Sequence, residues 1–150
     1  NVELIQDMME SPAIKPQEKG MLEPAKNTVP VGFSPYRWGI DLETAEKENL
    51  NPLAGQMTEE VLRVGMKYYE THCMVCHGTH GEGGANMSVA QKMALKPPSL
   101  VSDKVKAMTD QHLFHIITMG QGVMKAYNHH IPLEYRWQVV NYVRHLDGKH

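Results

Sequence analysis

Cysteine is nearly absent from this chain, whose 150 residues carry only two, at positions 73 and 76. Two thiols cannot build a disulfide-stapled scaffold, and at this length an apolar core can suffice without one. Charge of one sign is also missing. The formal net charge is −2, so no nucleic-acid partner is expected. No apolar run approaches the roughly 18 residues of a membrane-spanning helix. No signal-peptide pattern opens the chain, so any targeting segment is expected to have been removed or to lie outside the sequence. Alternating runs long enough for a strand are lacking, as are repeats. With 41% hydrophobic and 21% charged residues, the composition suits one modest globular domain with an appendage.

What is present divides near residue 57. Residues 1–57 hold six of the nine prolines, no histidine, and five Lys/Arg against nine Asp/Glu, a net of −4. Residues 58–150 hold both cysteines, all nine histidines and a net of +2. Chemistry therefore belongs to the second part. In the first part, closely spaced prolines remove amide donors and oppose helix and central strand. Val29, Val31, Phe33, Tyr36, Trp38 and Ile40 nevertheless make it too apolar for a purely solvated linker. Two readings stay open: a disordered tail, or an extended, mostly irregular arm whose aromatics lie along its own domain or a neighbouring subunit. Residues 41–50, DLETAEKENL, suit a short polar helix.

The second part reads as helices separated by loops. Thr58, followed by Glu59 and Glu60, is a helix-start signal, and Val61, Leu62, Met66 and Tyr69 then recur at helical spacing. Thr109 suits the N-cap of a helix whose apolar face is Leu113, Phe114, Ile116 and Ile117, with Gly120 as its stop. Pro132 suits the first turn of a last helix bearing Trp137, Val140, Val143 and Arg144. The fold class expected is all-α.

The first helix runs into THCMVCHGTH, residues 71–80. C-x-x-C-H is the attachment signature of c-type haem, in which two thioethers fix the porphyrin and the adjacent histidine becomes an axial ligand. Two intervening residues let one helical turn present both sulfurs to one edge of the ring. Two other chemistries compete. A redox C-x-x-C calls for an α/β pattern, which is missing, and structural zinc calls for four ligands. His80, His112 or His115 could serve zinc, but there is no second C-x-x-C. Cys73, Cys76 and His77 are thus the candidate residues for one covalently attached haem c.

The stretch GMKYYETHCMVCHG resembles the class I cytochrome c pattern, in which a glycine and, four residues later, an aromatic precede the attachment site; here these are Gly65 and Tyr69. The resemblance implies a class I helical domain around one haem, with Gly65 packed against the C-terminal helix at Val139 and Tyr142. MGQGVMKAY, residues 119–127, is similar to the family's G-x-G-x-M-P-x-Y loop, which implies Met124 as the second axial ligand and Tyr127 as a haem-pocket residue. Lys125 stands where the family often has proline, and Met119 is the competing ligand. Pro98 and Leu100 match a P-x-L turn, implying that the Pro98 carbonyl accepts from His77. The glycines of GEGG, residues 81–84, read as a flexible loop, and His129 and His130 as solvated.

A haem held by two protein ligands offers no vacant position to oxygen or peroxide, so the expected function is electron transfer without independent catalysis. NVELIQDMMESPA followed by GMLEPAKNTVPVGFSPY resembles the N-terminal region of the monohaem cytochrome c subunit of alternative complex III, a bacterial quinol-oxidising assembly. That resemblance implies electrons received from a multihaem subunit and passed to a terminal oxidase or soluble carrier, with the arm clamping the domain to its neighbours. It also implies a peripheral place on the periplasmic side of the inner membrane. In that family the subunit is a lipoprotein acylated on an N-terminal cysteine; no cysteine precedes Cys73 here. A free periplasmic class I cytochrome c is the alternative, and a haem enzyme or gas sensor, which needs an open sixth position, is the third class.

Overall fold

A computed structural model describes residues 12–14, 17, 20, 23–29, 31, 35–83 and 88–148. The chain forms two compact units, Asn1–Phe33 and Ser34–His150. In the first, the described residues contain no helix or strand. Ile14, Val29 and Val31 are exposed, and a turn is closed by Thr28 donating through its hydroxyl to the Ala25 carbonyl at 2.6 Å. Phe33 lies outside the described residues.

The second unit is helical: α1 Leu42–Glu48, α2 Glu59–His72, α3 Met74–His77, α4 Ser88–Gln91, α5 Asp103–Lys106, α6 Asp110–Met119 and α7 Leu133–Leu146. Among the described residues there is no strand, only an isolated bridge between Gln121 and Met124. The longer helices begin at the residues their caps dictate. Thr58 accepts from the Val61 amide and Thr109 from the His112 amide, while Pro132 immediately precedes α7. Gly120 ends α6 at φ +80°, a conformation that resists any side chain.

The most extensive helix pair is α2 with α7, and it closes on Gly65. A Cβ there would overlap the Gln138 carbonyl and stand 2.8 Å from Tyr142 Cβ. Tyr142 is the expected neighbour. The other is the Gln138 backbone rather than Val139, because a residue without a side chain admits the partner helix's main chain itself. The largest buried side chains, among them Tyr69, Phe114, Ile131, Val139 and Val140, fill the space between α2, α6 and α7. Phe114 stacks on Trp137 with ring centroids 4.0 Å apart. On α6, His115 and Thr118 are buried while Ile116 is only partly so, since the neighbouring chain supplies both polar groups with partners.

Much of that neighbouring chain is residues 35–57, a strap that belongs to the compact unit beginning at Ser34. Tyr36 Oη lies 3.0 Å from His115 Nδ1, and Trp38 Nε1 donates to Glu48 at 3.0 Å. Glu46 accepts from Thr109 Oγ1 and His112 Nδ1 at 2.8 and 3.0 Å. Asn51 donates to Asp110 and to Asn141, and Asn141 donates back to the Leu53 and Gln56 carbonyls at 2.8 and 3.1 Å. Tyr36 and Trp38 therefore lie along their own domain, whereas Ile40 and Leu50 face solvent.

Candidate functional site

Both cysteines and His77 sit on one turn. Cys73 ends α2 and caps α3; the amides of Cys76 and His77 both donate to its carbonyl, at 3.0 and 2.9 Å. The turn forms because Gly78 follows at φ +85° and returns its amide to Met74. Tyr69, fully buried, donates its hydroxyl to the Gly78 carbonyl at 2.7 Å and so ties the end of α3 back to α2. Burial raises the Tyr69 phenol well above its ordinary value, which keeps it a donor. Tyr69 thus explains the aromatic four residues after Gly65: it fixes the attachment turn as well as filling the core.

His77 is buried, and its Nδ1 lies 3.0 Å from the Pro98 carbonyl. A carbonyl only accepts, so Nδ1 carries the proton and Nε2 keeps its lone pair. Burial lowers the His77 pKa, opposed by the Pro98 contact, so the ring is neutral at pH 7. A neutral imidazole with one fixed N–H and one free lone pair is the form that ligates a metal.

The turn bearing Pro98 is held from the other side. Gly83 donates to the His77 carbonyl at 2.8 Å, and Leu100 donates to Gly81 at 2.7 Å. A Cβ on Gly83 would stand 2.9 Å from the Ser99 amide nitrogen. Gly81 and Gly83 are therefore packed against residues 97–100, in contrast to the flexible loop their composition suggests; Gly84 lies outside the described residues. Close backbone approach, which needs absent side chains, is the reason for the glycines.

Burial, with Cys76 nearby, pushes the Cys73 thiol up to about 12. A thiol so far from ionising at neutral pH is unsuited to disulfide exchange, which proceeds through thiolate. Zinc finds no set either: among the described residues no three His, Cys, Asp or Glu side chains converge on a metal position. His112 and His115 are engaged by Glu46 and Tyr36, and His80 is exposed.

Met124 is half-buried and closes a four-residue turn in which Gln121 and Met124 exchange both backbone hydrogen bonds at 3.0 Å. The turn folds onto Gly120, where a Cβ would stand 2.5 Å from the Met124 carbonyl. Lys125, which follows the turn, is exposed. Tyr127 donates its amide to Ile117 at 2.9 Å and packs against the core. Burial raises its phenol above the ordinary value. The His72 ring also lies 5.9 Å from Tyr127. Met119, the competing ligand, is the last residue of α6. His129 and His130 are exposed, with the His130 ring 5.9 Å from His72.

The structure thus links Cys73, Cys76, His77 and Pro98 directly, and brings Tyr127 of the Met124 loop to the His72 ring, next to Cys73 in the chain. These residues fit a c-type haem: two thiols and one lone-pair nitrogen share a turn, and the nitrogen's tautomer is set by Pro98. A cavity of about 140 Å³ between Tyr36, Trp38, Phe114, Leu133 and Trp137 is lined by no sulfur or imidazole and belongs to the strap.

Residues 60–143 match the model of the family described as cytochrome c oxidase, cbb3-type, subunit III. The chain belongs to that family. It is a c-type cytochrome, its prosthetic group is haem c, and its chemistry is electron transfer. The span matched by the family takes in nearly all of α2, the attachment turn, the loop of Met124 and most of α7. No curated protein matches the cytochrome. One residue of this site escaped the sequence pattern. Arg136 is buried beside the Met124 loop, in a position that reads as an ordinary surface cation within RWQVVNYV.

Proposed function

We propose that this cytochrome carries a single haem and is the electron-relay subunit of a quinol-oxidising respiratory complex, alternative complex III. In this reading Cys73 and Cys76 would hold the haem through thioethers, and His77 Nε2 and Met124 Sδ would ligate its iron. The bound group supplies a one-electron ferric/ferrous couple, and the soft thioether of methionine favours the ferrous form and raises the potential. The chain's own work is to hold those ligands: Pro98 keeps the proton on His77 Nδ1, Tyr69 fixes the attachment turn, and Tyr127 seats the Met124 loop on α6. The observation that carries the relay reading is the His77 to Pro98 contact of 3.0 Å on a turn that also holds both cysteines. With both iron ligands supplied by the protein, the group would serve electron transfer and leave no position for a substrate.

The larger assembly is supported by the arm, whose residues 1–13 and 20–36 resemble that subunit. The electron donor is then a multihaem cytochrome, and the acceptor a terminal oxidase or soluble carrier. The place is the periplasmic side of the inner membrane, held peripherally. No described helix is long and apolar enough to cross a membrane.

Three measurements test this. A haemochrome assay against protein concentration is expected to give one haem per chain. Met124→Ala is expected to abolish the near-infrared methionine-to-iron band; a band that persists there and vanishes in Met119→Ala reassigns the ligand. For the assembly, native purification is expected to bring down a multihaem cytochrome, and removal of residues 1–33 to release the cytochrome with its spectrum unchanged. Recovery of the full-length protein alone from the periplasm would identify a free carrier instead.

A further inference from the structure

The loop that carries Met124 leaves α6 at Gly120 and re-enters helix at Leu133. Its two stems are joined by one side chain. Arg136, on the first turns of α7 and only 5% exposed, donates Nε to the Ile131 carbonyl at 2.9 Å. One terminal nitrogen donates to the Asn128 carbonyl at 2.9 Å and the other to Thr118 Oγ1 at 3.3 Å. Thr118 is fully buried and belongs to the last turn of α6; Asn128 and Ile131 belong to the returning limb. The guanidinium also stands over the Phe114 ring, with Cζ 5.9 Å from its centroid.

Among the described residues no carboxylate lies within ion-pair distance of Arg136. The other buried arginine of α7 is different: Arg144 meets Asp110 at 2.8 Å and Asp147 at 3.4 Å. A buried cation with no carboxylate in contact, favoured only by the more distant charge of Glu134, is costly, and a core needs none, since apolar residues of similar volume commonly serve as well. What an apolar residue cannot do is grip three acceptors on two stems at once with a rigid fork.

We infer that Arg136 is a positioning residue for the sixth ligand, clamping the mouth of the 120–132 loop so that Met124 stays in place. This rests on Met124 being the axial ligand, as proposed above. Beyond the clamp, the limb is held by the Tyr127 to Ile117 bond and the loop's own turns. Removing the fork leaves Met124 covalently near its place but lowers the cost of displacing it by another base.

The test is an imidazole titration of the oxidised, full-length holoprotein at fixed pH, following loss of the near-infrared methionine band, with thermal unfolding measured in parallel. Arg136→Gln is expected to bind imidazole at least tenfold more tightly than the native protein, which corresponds to about 1.4 kcal/mol. Arg144→Gln is expected to lower the unfolding temperature and leave the imidazole affinity unchanged, because its partners lie outside the loop. Arg136→Lys keeps the charge but cannot span three acceptors, so an intermediate affinity is expected, and it serves if the glutamine variant does not fold. Equal tightening in the Arg136 and Arg144 variants, or none in either Arg136 variant, overturns the inference. A methionine band that survives Met124→Ala overturns the ligand assignment instead, so the two failures are distinguishable.

Discussion

Replacing Gly65 with alanine sets two magnitudes of opposite sign against each other. In an isolated helix the change stabilises by about 1 kcal/mol, because alanine loses less backbone entropy than glycine. Here the added Cβ would overlap the Gln138 carbonyl and sit 2.8 Å from Tyr142 Cβ. The first of these is main chain of α7 and cannot rotate away, so the two longest helices must separate by several tenths of an ångström. Overpacking of this kind costs roughly 1–3 kcal/mol, and a backbone clash belongs at the upper end. Against the gain of about 1 kcal/mol, the net loss is about 2 kcal/mol. At roughly 4 °C per kcal/mol for a unit of this size, the unfolding midpoint should fall by about 8 °C. Thermal and urea unfolding of the holoprotein, followed by far-ultraviolet circular dichroism, measure it. A variant as stable as the native protein, or more stable, would refute the close crossing at Gly65, since propensity alone predicts that sign.

Tyr69→Phe removes the 2.7 Å donor to Gly78 while keeping the buried ring, and should cost about 1 kcal/mol in urea unfolding. Asn141→Ala strips the Leu53 and Gln56 carbonyls and the Asn51 side chain of partners; a loss of about 2–3 kcal/mol and faster proteolysis within 49–57 are expected. Burial lowers the pKa of His115, so the unfolded chain binds its proton first, and stability should fall as pH drops below about 6.5. His115→Gln should flatten that part of the stability profile; a slope unchanged in the variant would assign it to another group.

Local signals carried much of the fold because they act at short range. A threonine hydroxyl three residues before an amide, or a glycine where φ must be positive, settles a helix end without reference to the rest of the chain. The caps at Thr58 and Thr109 and the stop at Gly120 are of this kind. The face of α6 was less legible. Periodicity favoured Ile116, but His115 and Thr118 are buried because Tyr36 and Arg136, 79 and 18 residues away in sequence, satisfy them. The glycines at 81 and 83 read as freedom and serve as clearance, which only the approach of residues 97–100 reveals.

The division of the chain shows the same distinction. Composition changes near residue 57, whereas the compact unit begins at Ser34. Proline and acidic residues report what a segment cannot form by itself, not what it packs against. The bonds of Tyr36, Glu46 and Asn51 to α6 and α7 all span more than 55 residues.

By itself, the sequence determined the chemistry of attachment and the all-α fold, because two sulfurs, an imidazole and a set of helix caps act within a turn or two of chain. Only the tertiary structure decided which nitrogen of His77 is free, what Gly65 admits, and that a buried guanidinium on α7 grips both stems of the Met124 loop. Those facts depend on groups brought together from distant parts of the chain. Burial there gives each contact its strength and leaves few alternatives to it.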